Sequence, residues 1–206
     1  MTAPTIGLVL ECGPQGADKQ VCEYLLQQMR PDVKIRSRTL DNKANLLRDA
    51  GQVAGQLLKG HCTCVLIVWD LRPAWPDKDE KPCRHAEREV LLTRLAEAGI
   101  PPGAPVHLIC IEQELESWLL ANERAITAYL STPTHPYRAE RERDPDGVRQ
   151  PKAMMINHFK AARGWRYDDK VHAIRILQAD AVDLARLRRS ASFARFEAKL
   201  QACKTT

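Results

Sequence analysis

Cys64–Asp70 reads CVLIVWD: six consecutive apolar residues ending in an acid, with Gly60 before the run and Pro73 after it. An apolar run with no polar alternation fits a central strand covered on both faces, and such strands belong to parallel sheets flanked by helices. Outward from it, residues 6–11 (IGLVLE) and Val106–Ile111 (VHLICI) read as further buried strands, while residues 33–38 (VKIRSR) alternate like an edge or half-exposed strand. Helical spacing follows each one. Val21, Leu25, Leu26 and Met29 come after the turn Gly13-Pro14-Gln15-Gly16, and Leu46, Leu47, Val53, Leu57 and Leu58 lie within residues 40–58. Residues 84–98 form an amphipathic helix, and residues 114–130 read as one helix with Leu115, Trp118, Leu119 and Ile126 near one face. These βα repeats predict an α/β, mostly parallel sheet of about four strands between helices.

Residues 131–151 are rich in Pro, Arg, Asp and Glu and read as a long surface loop, mobile or functional. Beyond it the chain reads as helical over residues 153–163, 170–178 and 180–189. A last helix is capped near Ser190 or Ser192, with Phe193, Phe196 and Leu200 on one side. The organisation expected is an α/β domain over residues 1–130, the loop over 131–152 and a helical C-terminal extension over 153–206.

A chain of 206 residues is long enough to bury a core without covalent staples. It has no apolar stretch of membrane-spanning length, and its first residues lack the pattern of a signal peptide, so a cytoplasmic protein is expected. The seven cysteines lie mostly in apolar contexts, where thiols act as small hydrophobes, which fits a reducing compartment. The formal charge of +5 is uneven: residues 1–137 carry 15 Lys+Arg against 17 Asp+Glu, whereas residues 138–206 carry 16 against 9. The basic C-terminal part suits a polyanion, or is a solvated helical surface.

Three strands end in acids: Glu11, Asp70, and Glu112 followed by Glu114 and Glu116. Open parallel sheets bind ligands outside the carboxyl ends of their strands, and carboxylates brought together there need a cation or proton between them. Oxygen-only ligands suit Mg²⁺ or Mn²⁺, which meet a protein through a few carboxylates and a substrate phosphate. The alternative is that each acid is a solvated strand end or a residue favoured by a helix dipole.

The order of Glu11 with Gly13 and Asp18, then Asp70, then Glu114-Leu115-Glu116-Ser117-Trp118-Leu119-Leu120 is similar to toprim-like proteins. It resembles in particular an uncharacterised bacterial toprim-like family often encoded beside AAA-type ATPases. Pro151-Lys152, Tyr167 with Lys170, Asp183, and Ser192-Phe193 through Phe196 and Leu200 match that family's C-terminal pattern. The resemblance spans nearly the whole chain. It implies a toprim fold whose acids hold Mg²⁺ for cutting or rejoining nucleic acid, with Glu11 as general acid/base or first metal ligand and Asp70 as a metal ligand. Glu114 and Glu116 are candidates for completing the site. It also implies an ATPase partner and, by analogy, a role in phage defence. Two departures stand out. Asp70-Leu71-Arg72 puts a cation where the second acid of a D-x-D pattern is expected, with Asp77 and Asp79 as nearby substitutes. The first turn also carries residues beyond the expected E-G.

Other chemistry is less well supported. His61, Cys62, Cys64, Cys83 and His85 lack the spacing of a zinc site, and Cys62-Thr63-Cys64 leads into a strand. Neither G-x-G-x-x-G, a Walker lysine pattern nor G-x-S-x-G occurs, and Cys12 has no identified histidine partner. A small-molecule phosphatase with Asp70 as nucleophile meets the same missing acid at Arg72. The expected phosphate contacts are Arg72, Arg163, Arg166, Lys170, Arg186, Arg188 and Arg189, with the loop residues Arg138, Arg141, Arg143 and Arg149. Trp165 and Tyr167 either stack on bases or pack as helix-borne aromatics. Two functions follow as expectations: a Mg²⁺-dependent nuclease-type protein, or a non-catalytic module that binds nucleic acid or an ATPase through a degenerate metal site.

Overall fold

A computed structural model describes residues 3–74 and 81–203. Asp77 and Asp79 lie outside the described residues. Four strands, β1 (Thr5–Leu10), β2 (Lys34–Thr39), β3 (Cys64–Asp70) and β4 (Val106–Ile111), form one sheet in the order β2-β1-β3-β4, with every neighbouring pair parallel. β1 and β3, nearly devoid of polar side chains, occupy the centre, while β2 alternates exposed and half-buried residues at one edge, as its sequence requires. The fold is consistent with an α/β toprim-like architecture.

Helices α1 (Ala17–Met29), α2 (Lys43–Lys59) and α3 (Arg84–Glu97) make the crossovers. Two apolar cores result. On one face, α2 and α3 pack on Val9, Val65, Ile67 and Trp69; on the other, α1 and the C-terminal helices pack on Ile6, Leu8, Leu66 and Val68. The chain thus leaves β1 towards one face and β3 towards the other, so the strands' carboxyl ends diverge between these neighbours and leave a crevice there.

After β4 the chain forms α4 (Glu116–Leu120) and α5 (Glu123–Leu130) instead of one continuous helix. The break falls at Ala121-Asn122, where the buried Asn122 side chain accepts the Ala125 N–H and starts a new helix. Next come a 3₁₀ turn (Pro145–Gly147), α6 (Pro151–Arg163), α7 (Asp169–Gln178), the single turn α8 (Leu184–Leu187) and α9 (Ala191–Ala202). The helix expected over 180–189 shrinks to α8 because Asp183 caps it, accepting the Arg186 N–H, and Ser190 caps α9 immediately afterwards. The segment before α6 is irregular yet anchored. Asp146 accepts from Ser190 Oγ and the Ser192 N–H, both at 2.8 Å, and Tyr137 Oη bonds His158 Nδ1 at 2.6 Å.

The cysteines depart from the free-thiol reading at one point. Cys64 at the start of β3 and Cys203 after α9 form a disulfide across 139 residues. The pairing is invisible in sequence because it depends on α9 folding back against β4. Cys22, Cys62 and Cys110 are buried free thiols, as expected.

α2 and α3 approach so closely that a Cβ added to Gly51 would lie 2.1 Å from the backbone carbonyl oxygen of Arg94. Gly51→Ala should therefore force the helices apart and destabilise the fold by about 2 kcal/mol, the usual cost of overpacking, read as a lowered urea midpoint.

Candidate active site

Glu11 immediately follows β1 and Asp70 ends β3, so the two acids flank the crevice. Both carry an oxygen that is buried and without a hydrogen-bond partner among the described residues: Oε2 of Glu11 and Oδ1 of Asp70. Buried polar atoms are normally satisfied, so adjacent orphaned oxygens need an explanation. Gln113 Oε1, just after β4, likewise has no hydrogen-bond partner among the described residues.

A tight turn brings a third acid to the crevice. The Gly16 N–H donates to the Gly13 carbonyl at 2.8 Å, and a Cβ on Gly16 would sit 2.4 Å from that of Cys12, so only glycine fits. Two residues on, Asp18 lies in the first turn of α1, next to the Cys12 thiol.

From the other side come Glu114 and Glu116. Glu114 Oε2 accepts the Lys152 backbone N–H at 3.2 Å, at the N-terminus of α6, and Glu116 is buried in α4 beside Tyr167. α4 is fixed by Trp118, whose Nε1 donates to Ser192 Oγ at 2.8 Å and whose ring meets Phe193 edge-on at 5.4 Å. The Lys152 ammonium pairs with Asp169 at 3.1 Å.

Burial dominates the electrostatics. It pushes Glu11 up to about 7, an effect offset by the Lys43 charge and reinforced by Asp18 and Glu87. Asp18 rises to about 6, chiefly through burial, and Glu116 to about 7, with Lys152 opposing. Asp70 is raised well above its ordinary range by burial and then by Asp18, Glu11, Glu116 and Glu114. The same burial pushes the Cys12 thiol up to about 12, which suits a packed thiol and not a nucleophile.

Beneath the crevice lies a pair not expected from sequence. Lys43 Nζ donates to the carbonyls of Leu71 (2.8 Å) and Pro73 (2.7 Å) and to Glu87 (3.2 Å), while Glu87 accepts the Trp69 indole N–H at 2.8 Å. The network holds the chain just after Asp70. Its signal was a charge on each apolar stripe: Lys43 precedes Leu46, Leu47 and Ala50, and Glu87 precedes Leu91 and Leu95, at helical spacing.

The carboxylates ring a wider opening than one bare ion's ligand sphere. Among the described residues, the three ligand-type side chains whose atoms lie within 4.8 Å of one another are Cys64, His107 and Cys203, away at the other end of β3. Their chemistry, oxygen donors with two orphaned lone-pair sites, is that of a Mg²⁺ or Mn²⁺ site, and an ion there would reach the more distant acids through water.

The other sequence-predicted residues scatter. Arg72 is exposed, with its N–H donating to the Gln113 carbonyl at 3.1 Å. Arg186 and Arg189 converge on Glu123, and Arg189 also donates to the Glu142 carbonyl at 2.9 Å. Arg163 donates to the Leu130 carbonyl at 2.7 Å and lies 4.8 Å from the centre of the exposed Trp165 ring. Arg166 and Lys170 are exposed, and Tyr167 is buried against Phe159.

Residues 15–201 match the model of a family described as a domain of unknown function (DUF4276), so the chain belongs to that family. No curated protein and no solved structure matches it.

The raised acids make stability depend on pH. Folded Glu11 and Glu116 titrate near 7 instead of 4.5, so the native state binds more protons than the unfolded state between those values. Their contribution is full below about 4.5 and lost as the pH rises through about 7. In EDTA the thermal midpoint should fall from pH 5 to pH 8, and Mg²⁺ or Mn²⁺ should restore it at pH 8; a flat profile in fluorimetric melts would contradict this.

Proposed function

We propose that this DUF4276 member is a divergent toprim-like, Mg²⁺-dependent nuclease-type protein acting on nucleic-acid phosphodiesters. The observation that carries the reading is the pair of buried, unpartnered oxygens of Glu11 and Asp70 on either side of the crevice between β1 and β3. Asp70 and Glu11 would hold Mg²⁺ or Mn²⁺, with Glu114 and Glu116 supporting it through water. Bound there, the ion would supply Lewis-acid stabilisation of phosphate charge and an activated water.

The chain's own groups account for the rest. Glu11, which burial pushes up to about 7 without an ion, would be either the general acid/base or, held to the cation, its first ligand. The Lys152 ammonium lies at the rim among acids, placed to meet a phosphate. Arg72, exposed two residues after Asp70, replaces a second acid with a phosphate-pairing cation. The resemblance adds an AAA-type ATPase partner and a part in phage defence to the proposal, and the cytoplasmic setting expected from the sequence belongs to it too.

A second reading is favoured by Arg72 itself. With a cation at the second acid's position, the protein would be a non-catalytic module that binds nucleic acid or the ATPase.

Purified protein, Glu11→Ala and Asp70→Ala should be incubated with plasmid DNA, single-stranded DNA and transfer RNA in Mg²⁺ or Mn²⁺. The expected outcome is cleavage of one substrate class by the wild type and a loss of at least roughly a hundredfold in each folded variant. Absence of cleavage by every form, with binding retained, would select the module.

A further inference from the structure

β4 is an edge strand, paired only with β3 among the described residues, and it runs between α3 on one face of the sheet and α9 on the other. A cavity of ≈ 360 Å³ opens along this edge. Leu108 and Cys110 lie on its floor, while Arg84 and Arg88 line one wall and Arg195 and Lys199 the other. Each cation pair is spaced i, i+4, so on each wall the two residues lie about 6 Å apart along the helix.

Only part of this charge is neutralised. Arg84 and Arg195 share a single carboxylate, that of Glu112, with Arg195 Nη2 at 2.6 Å. Among the described residues Arg88 pairs with the exposed Glu89 alone, at 3.5 Å, a contact weak in water. Lys199 is exposed, with no ion pair among the described residues, and His85 adds a titratable group to the same lining. Glu112, which pairs with both walls, follows Ile111, the register partner of Asp70.

Resting on the reading of this protein as one that acts on nucleic acid, we infer that the β4-edge cleft is its nucleic-acid track and takes a single strand. The two cationic walls contact phosphates, and the exposed part of Leu108 on the floor lies under the bases. Cation-lined grooves that track the backbone suit single strands, whose bases are free to turn inward. Charge argues against a second copy of this chain at the edge, since an identical strand would set four cations against four. This places binding on α3 and α9, whereas Arg186 and Arg189 are spent on Glu123.

The test is fluorescence anisotropy with labelled oligothymidylate and oligouridylate, in EDTA so that the outcome is independent of any metal. Arg88→Gln/Lys199→Gln removes two exposed cations and should leave the melting temperature unchanged. The double variant should bind roughly tenfold or more weakly at moderate salt, and its slope of log affinity against log salt should be shallower by about 1.4. Lys34→Gln/Lys59→Gln, at two exposed cations outside the cleft, should bind like the wild type. The inference is overturned if the cleft variant keeps wild-type affinity or if this control variant loses as much. It is equally overturned if duplex DNA or polyglutamate binds the wild type more tightly than either oligonucleotide. Cleft-dependent binding without cleavage would sink the nuclease reading alone, and cleavage with wild-type binding by the cleft variant would sink the cleft alone.

Discussion

Desolvation of acids at the crevice between β1 and β3 is the constraint on which the rest of this structure turns. A buried carboxylate without a partner is costly, and Glu11 and Asp70 are adjacent, oriented by neighbouring parallel strands and joined by Asp18 and Glu116. Proteins tolerate such an arrangement where a proton or a cation occupies the space between. The elevated titration of Glu11 and Glu116 is the first solution, available at acid pH; the proposed divalent ion is the second, available at neutral pH.

The surrounding packing makes sense as support for that strained group. Lys43 and Glu87 fix the backbone leaving β3, so Asp70 cannot retreat towards solvent. Trp118, held by Ser192 and the aromatic pair Phe193 and Phe196, fixes α4 and with it Glu116. Asp146 ties Ser190 and Ser192 to the irregular segment before α6. The C-terminal helices share one apolar core with β1 and α1, so they form a wall of the site.

Much of the fold was legible because it rests on local pattern. The unbroken run CVLIVW and the alternation of the β2 edge are direct consequences of two-sided and one-sided burial. Glu11, Asp70, Glu114 and Glu116 were legible as site candidates because parallel topology alone brings strand ends together. Contacts between distant segments were not. The Cys64–Cys203 bridge, the Lys43–Glu87 pair and the consumption of Arg186 and Arg189 by Glu123 each join residues whose separation in sequence carries no periodic signal. The expected helix over 114–130 failed at Asn122, where a side-chain cap outweighed the continuing apolar pattern. Net basicity pointed towards the C-terminal half, and there Arg186 and Arg189 are taken up by Glu123.

The central claim is that these carboxylates hold a divalent cation, and Mn²⁺ occupancy tests it most directly. Electron paramagnetic resonance titration of Mn²⁺ into the wild type at pH 8 should show specific binding at sub-millimolar concentration, lost in Asp70→Asn and in Glu11→Gln while both variants remain folded. Wild-type protein that leaves Mn²⁺ free at millimolar levels, or variants that bind it as the wild type does, would contradict the account.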